Sequence, residues 1–467
     1  MVDSIPEDEG GRVVDDGDKE IEKTVKIHSF NDDTYDEEAP TLDDVTDETG
    51  LSFWEIAAIQ TSWSTAAVLV MMPYIYGQLG YALALILTSV WLVLTYLIAC
   101  FMCDVVASSD GRCKHLFDAG YELGGKWGRR ILQILQLTNL LFYLPVALET
   151  VAISLQVVFG YPFKENGCIG WWKLITFAIL FVVVMLVKTW KESSRLAFIT
   201  VGVVTLKAFV LIPYGLVRYR SDYMSSDMNL GPSQPFGNPQ PNVWNMFGCA
   251  IYFTTVSMLI VVETMSHARN PEEYKKALGL ATTLMWMYYA VPGLCSALLW
   301  GWNVEYLINE EFGTGPLAIV LNLLIAIPVT LDYLMSTFPI NDAIRKRFID
   351  KENDEDTPDT NGKNQWWHQF KVTFPTLVFS FIFCTVVPHF EVMVSLLSAL
   401  TIVPLVTFVP SLLWLFGGNR KKYNTWMILH LLSIGLGLIE FVIGFAYAIY
   451  GIITTDYAPE KFWCNSF

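Results

Sequence analysis

Residues 62–81 read SWSTAAVLVMMPYIYGQLGY. Three hydroxyls, Ser62, Ser64 and Thr65, open an otherwise apolar helix, Pro73 follows, and Gly77 and Gly80 close it. A proline removes a backbone donor and clashes with the preceding turn. Within a bilayer, every backbone N–H and C=O must be satisfied by the protein. A broken helix is therefore tolerated only where it faces protein or a water-filled cavity. The stretch has two readings. It is a kinked membrane helix without a ligand, since membrane helices carry proline often. Or it is a helix broken at membrane depth, whose freed backbone groups hold a solute or an ion, a construction of secondary transporters.

The rest of the chain supplies the membrane. Of 467 residues, 53% are hydrophobic and only 16% are charged, against about 25% charged in soluble domains. Apolar runs of about 20 residues recur, each long enough to cross a bilayer. One of them, Tyr81–Met102, carries no formal charge. The net charge of −16 belongs to the N-terminus: residues 1–54 hold 18 acidic against 4 basic residues, and the remainder 28 against 26. So polar a segment buries too little apolar surface to fold alone and reads as a disordered cytosolic tail. It is solvated, or it is a site of phosphorylation or docking. It shows no cleavable signal peptide, being acidic and lacking an apolar core.

Eleven spans are expected, near 56–76, 81–103, 131–159, 171–187, 196–217, 244–265, 277–301, 316–338, 372–388, 391–416 and 425–453. With the tail inside, the inner loops 104–130, 188–195, 266–276, 339–371 and 417–424 carry 20 Lys and Arg. The outer segments carry 5: Lys164, Lys173, Arg218, Arg220 and Lys461. That asymmetry fits the positive-inside rule. The longest outer loop, 218–243, contains PSQPFGNPQP, an irregular connection. It separates five spans from five more plus one, the count of a five-plus-five inverted repeat with an eleventh helix. Residues 350–364 form a polar inner linker. The expected organisation is an all-α polytopic membrane protein: an N-terminal tail 1–54, a membrane domain 55–454 and a short outer tail 455–467.

Cys100 and Cys103 form a C-x-x-C at the end of span 2, but no second pair or nearby histidine supports a metal or redox site. Cys168 and Cys464 fall outside, where they could pair. The histidines 28, 115, 267, 368, 389 and 430 form no metal-spaced pair, and no nucleophile–base set shares a cavity. An enzyme is disfavoured, and no cofactor or nucleic-acid partner is expected.

Four segments, in order and at the expected spans, carry a resemblance. They are MMPYIYGQLGY after the first hydroxyls, GRCKHLFDAGYELGGKWGRR after span 2, VETMSHARNPEEYKKAL at the end of span 6 and DYLMSTFPINDAI in span 8. Together they resemble the amino acid/auxin permease family, over about residues 54–453. The resemblance implies a LeuT-type fold and secondary transport of amino acids, usually driven by protons and in some branches by sodium. One departure is local. Where that family usually has glycines in the first-helix break, this chain has Ala66 and Val68, whose side chains narrow or shift the cradle. A nutrient sensor that keeps this fold without flux is the rival reading. A channel is a third, less suited to broken helices around a central site. The plasma membrane and an endolysosomal or vacuolar membrane both remain open.

The expected substrate site is the span 1 break, Ser64, Thr65, Ala66, Ala67 and Val68, where a half-helix N-terminus offers amides to a carboxylate. Tyr143 lies about 18 Å into span 3 at the helical rise, close to mid-membrane. It either caps the carboxylate or packs against a neighbouring helix. Thr254, Thr255 and Ser257 interrupt span 6 and face Ser64 and Thr65, unless they back-bond to their own helix. Glu149, Lys207, Glu263, Asp332, His430 and Glu440 lie deep or semi-deep, where a charge needs a partner or a use. Glu263 reads as structural or interfacial, His430 as interfacial, and Glu440 as a packing or subunit contact. Lys207 lies about 17 Å deep at the helical rise, so it requires an anion or carbonyls, or it loses its proton. Asp332 is within reach, with Ser336 and Thr337 one turn on. The resemblance implies that the Lys207 ammonium replaces a sodium ion between spans 1, 5 and 8 and couples transport to protons. The alternative is a static Lys207–Asp332 ion pair.

Overall fold

The computed structural model describes residues 50–66, 68–109, 113–160, 169–187, 189–224, 233–236, 242–304, 308, 312, 315–348, 362–386, 394, 396–416 and 426–454. The tails 1–49 and 455–467, Ala67, Cys168 and Cys464 lie outside them.

The described residues are helical apart from connections and one isolated bridge, Leu51 to Ala268. Ten helices among them are long and apolar enough to cross a membrane. The eleventh span is the first, which comes in pieces: α1 (Phe53–Thr65), a 3-10 turn at Val68–Val70, and α2 (Met72–Leu79). Pro73 falls in the first turn of α2. There its missing N–H costs nothing, so it begins a half-helix rather than kinking one. Gly80, at φ 83°, turns the chain into α3 (Tyr81–Ala107).

α4 (Leu116–Gly160) is longer than the span 131–159. Its residues 116–130 lie in what reads as an inner loop, and Gly124 and Gly125 kink it, Gly125 at φ 62°. α5 (Ile169–Leu186) follows. α6 (Trp190–Leu206) then runs through a π turn at Lys207–Leu211 into α7 (Ile212–Met224). The second broken span is α8 (Asn242–Thr255), a 3-10 turn at Val256–Ile260 and α9 (Val261–Ser266). The remaining spans are α10 (Pro271–Leu299), α11 (Pro316–Phe348), α12 (Gly362–Val386), the π turns Ser398–Ile402 and Pro404–Phe408 leading into α13 (Val409–Phe416), and α14 (Met427–Thr454).

The three π turns share a cause. In each, the residue donating five positions back stands immediately before a proline: Ile212 N to Lys207 O, Val403 N to Ser398 O and Val409 N to Pro404 O. The prolines are Pro213, Pro404 and Pro410. A proline ring clashes with the carbonyl four residues back, and widening the preceding turn moves that carbonyl aside. Such single wide turns cluster at functional sites.

Packing places the two broken spans inside. The most apolar 18 residues within Met246–Ser266 are 94% buried, against 28% for those within Met427–Ala446 in the last span. α1 packs on α6 and α10, α2 on α10 and α8, and α4 along α11. α2 and α10 approach closely because two positions lack side chains. A Cβ on Gly293 would lie 2.6 Å from the Tyr76 ring, and one on Gly77 2.4 Å from the Gly301 carbonyl.

Two buried ionisable groups, Lys173 and His430, differ from expectation, and two, Glu440 and Glu263, take one of the two places read for them. Lys173 is not an outer loop cation. It is buried in α5, donating to Glu149 Oε1 at 3.1 Å and to the Cys384 carbonyl at 2.7 Å. The pair joins α4, α5 and α12. His430 is not interfacial: it is fully buried, stacks on Trp414 at 4.6 Å and meets Ser411 Oγ at 3.1 Å. Glu440 is buried rather than turned outward to a subunit. Its Oε1 lies beside Gly444, which packs on Ala399 of the first π turn in span 10. Glu263 does not reach the interface. Its Oε1 accepts from Gln136 Nε2 at 2.6 Å and from Leu116 N at 3.3 Å, tying α9 to α4.

Candidate functional site

The two breaks meet at the centre of the molecule. A helix end leaves its last carbonyls without intrahelical donors, and in a buried site each must find another. Ala66 N still reaches Ser62 O at 3.2 Å, and Met71 N reaches Val68 O at 3.0 Å. The Trp63 indole of α1 donates across the site to Val256 O, at 3.3 Å, in the span 6 break. The Tyr289 hydroxyl of α10 bonds to Ser64 O in the span 1 break and lies 3.2 Å from Phe253 O in the other. One indole and one phenol thus stitch both breaks together. Neither residue stands out in the sequence. The only signal for Tyr289 is its place in WMYYAVP, a tyrosine pair shortly before Pro292.

The expected hydroxyls lie at the breaks but are turned away. Ser64 Oγ donates to Gln60 O at 3.0 Å and Thr65 Oγ1 to Thr61 O at 2.6 Å. Thr254 Oγ1 donates to Ala250 O at 3.0 Å, and Thr255 Oγ1 to Ile251 O at 2.7 Å. These four hydroxyls take the back-bonded alternative and serve their own helices, as such residues do where a carbonyl lies one turn back. Ser257 is buried in the 3-10 turn of span 6. Ala66 and Val68 are buried at the span 1 break, where the one is fully enclosed and the other nearly so. Deeper along α1, the Thr61 and Ser62 hydroxyls are buried without hydrogen-bond partners among the described residues. The polar character of the site is therefore that of backbone groups, two aromatic donors and these two hydroxyls.

A second constellation adjoins the first. Tyr143 of α4 packs its ring 6.3 Å from Trp63 and donates its hydroxyl to Asp332 Oδ2 of α11 at 3.1 Å. Lys207 stands at the first position of the π turn in span 5, fully buried. The Lys207 ammonium and Asp332 Oδ1 are both buried without a hydrogen-bond partner among the described residues. The static pair is therefore not closed by a hydrogen bond; the tyrosine, not the lysine, holds the carboxyl. Ser336 Oγ donates to Asp332 O at 2.8 Å and Thr337 Oγ1 to Leu334 O at 2.7 Å. Both hydroxyls thus stiffen α11. On the far side of Tyr143, Asn139 donates to Thr401 Oγ1 at 2.6 Å and accepts from Tyr252 at 3.4 Å.

Both ends of this central region are tied shut. At the α1 end, Leu51 N donates to His267 O at 2.8 Å and Arg269 N to Leu51 O at 2.9 Å. Glu55 takes Lys191 Nζ at 2.9 Å and Ser194 Oγ at 3.0 Å. At the α2 end, Gln78 Nε2 donates to Trp302 O at 2.9 Å.

A multi-span membrane protein with two helices broken at its enclosed centre, buried ionisable groups beside the breaks and ties at both ends has the construction of a membrane carrier. The chain belongs to the family described as transmembrane amino acid transporter protein, which matches residues 49–455. Among curated proteins it is similar to the amino acid transporter AVT3A of Arabidopsis thaliana, at 23% identity over 209 residues. That match covers 44% of this chain and 45% of the relative's length. Among solved structures it resembles MhsT in complex with L-phenylalanine, with a TM-score of 0.58 at 12% identity, covering 84% of this chain and 98% of that one. It also resembles Mhp1, a nucleobase-cation-symport-1 family transporter in a closed conformation with bromovinylhydantoin bound. There the TM-score is 0.55 at 14% identity, covering 86% and 91% of the two chains. These likenesses fix the fold as that shared by MhsT and Mhp1.

Proposed function

We propose that the protein is a secondary active carrier of amino acids, driven by a proton gradient and working by alternating access around the breaks in spans 1 and 6. The observation that carries this reading is the pair of breaks bridged by Trp63 and Tyr289, with Lys207 and Asp332 buried beside them. The breaks offer both polarities that a zwitterion needs. The half-helix that begins at Met72 presents amides and the positive end of a dipole to a carboxylate, around Ser64–Val68. The carbonyls of Ser64 and Phe253 accept from an ammonium. Lys207 is the coupling group: its ammonium takes the place of a cation between spans 1, 5 and 8, and loss of its proton loosens spans 1 and 8. Tyr143 holds Asp332 in position for that exchange. The ties at the two ends support alternating access, because each can be released while the other holds.

Uptake of a labelled amino-acid panel into proteoliposomes, with and without a pH gradient, tests the reading. Accumulation is expected with an inward proton gradient, inhibited by unlabelled amino acids and not by the matching decarboxylated amines. Equal competition by the amines sinks the carboxylate site. Saturable binding without accumulation in any gradient identifies a sensor instead.

A further inference from the structure

The Tyr289 hydroxyl is fully buried and joined to both breaks, yet no step assigned so far uses it. It comes from α10, outside the two broken spans. A phenol has one proton to donate, and here it is directed at Ser64 O, with Phe253 O at 3.2 Å. These are carbonyls that helix ends leave without intrahelical donors. The other cross-site donor, Trp63, serves a different carbonyl, that of Val256. The Ser64 and Thr65 hydroxyls are engaged with Gln60 O and Thr61 O and supply nothing to the gap. The carbonyls that an amino acid's ammonium must reach therefore already have a donor, provided by the protein.

We propose that Tyr289 is an affinity-setting residue of the binding site that stands in for the substrate's ammonium: its hydroxyl occupies the Ser64 and Phe253 carbonyls in the empty carrier and gives them up when an amino acid binds. This rests on the amino-acid reading above. The physical argument is one of exchange. Buried carbonyls left bare are costly in a membrane interior. With the phenol present, the empty site is already satisfied, and a solute gains only the difference between its own donor and the one it displaces. A solute with no donor at that position displaces the phenol and puts nothing in its place, so it is rejected. The hydroxyl lowers affinity for every solute that displaces it, by the same amount whether or not that solute carries an amino group.

The test turns on a sign. Tyr289→Phe removes the donor and keeps the ring, so the carbonyls are bare in the empty carrier and unchanged in the occupied one. Affinity for an amino acid is then expected to rise, by about threefold to tenfold for one neutral hydrogen bond. A strut that merely holds the two breaks together predicts the opposite, because its loss loosens the site and weakens binding. Purified wild-type protein, Tyr289→Phe and Tyr289→Met are titrated by calorimetry with L-alanine, L-phenylalanine and the best substrate of the uptake panel. Each is paired with the carboxylic acid that lacks its amino group. The methionine variant also removes the donor and serves if phenylalanine does not fold. The expected result is tighter binding of amino acids, with their preference over the des-amino acids unchanged, because the phenol is displaced from both complexes. Unchanged or weaker amino-acid binding in the folded variant overturns the proposal alone. Failure of the wild type to bind any amino acid overturns the transport reading and this one with it.

Discussion

At the scale of single residues, the site is built from groups whose value depends on what they lack. Lys207 is buried where a charge costs several kcal/mol, roughly 2.5–3.5 on insertion scales, and no hydrogen bond from the described residues offsets it. Lys207→Met is accordingly expected to retain amino-acid binding and to abolish accumulation driven by a pH gradient. A variant that still concentrates substrate under that gradient removes Lys207 from coupling. Lys173 makes the contrast. It is equally enclosed, but Glu149 and the Cys384 carbonyl complete it. Glu149→Ala strips its charge partner and is expected to cost about 3–5 kcal/mol of stability, read as a fall in the thermal midpoint in detergent. Depth along a helix, which sequence does give, marked Glu149 and Lys207 as inside. It left Lys173, the satisfied lysine, among the outer segments, because its enclosure depends on which helix comes to lie beside which. For the same reason Tyr143 was legible as a mid-membrane tyrosine, while its partner Asp332 follows only from the packing of α4 along α11.

At the scale of elements, the breaks were legible and the wide turns were not. Hydroxyls followed by a proline in residues 62–73, and hydroxyls alone in 254–257, mark the two interrupted spans, because both patterns weaken a helix locally. The role of Pro73 changes once its position within α2 is known. A π turn, by contrast, adds one residue to a turn without altering hydrophobic periodicity enough to read. The recurrent placement of its donor just before Pro213, Pro404 and Pro410 became visible only with the backbone bonds. Packing between elements was invisible too, since Gly77 and Gly293 are unremarkable until Gly301 O and Tyr76 lie against them. Gly293→Ala forces a methyl to within 2.6 Å of that ring, and overpacking of this kind costs about 1–3 kcal/mol. A lowered thermal midpoint relieved by Tyr76→Leu in the same chain is the expected outcome; no relief would place the strain elsewhere.

For the whole molecule, the two ends are shut by different means. At the α1 end the closure is polar: Glu55 with Lys191 and Ser194, and backbone bonds between Leu51 and residues 267–269. Lys191 is 40% exposed along its side chain, so its ion pair contributes about 0–1 kcal/mol. Lys191→Ala is therefore expected to raise the population open at that end by up to about fivefold. The rate at which a membrane-impermeant thiol reagent modifies a Ser62→Cys reporter from that side measures it, and an unchanged rate assigns the closure to the backbone bonds instead. At the α2 end one neutral hydrogen bond, from Gln78 to Trp302 O, joins a close steric fit. Two absent side chains seat α2 closely against α10 and the residues that follow it. The α1 end is consequently held in part by an ion pair that salt screens, and the α2 end by a neutral hydrogen bond and close packing. Raising salt is then expected to favour one facing of the protein over the other without touching the substrate, a directional bias written into the two closures.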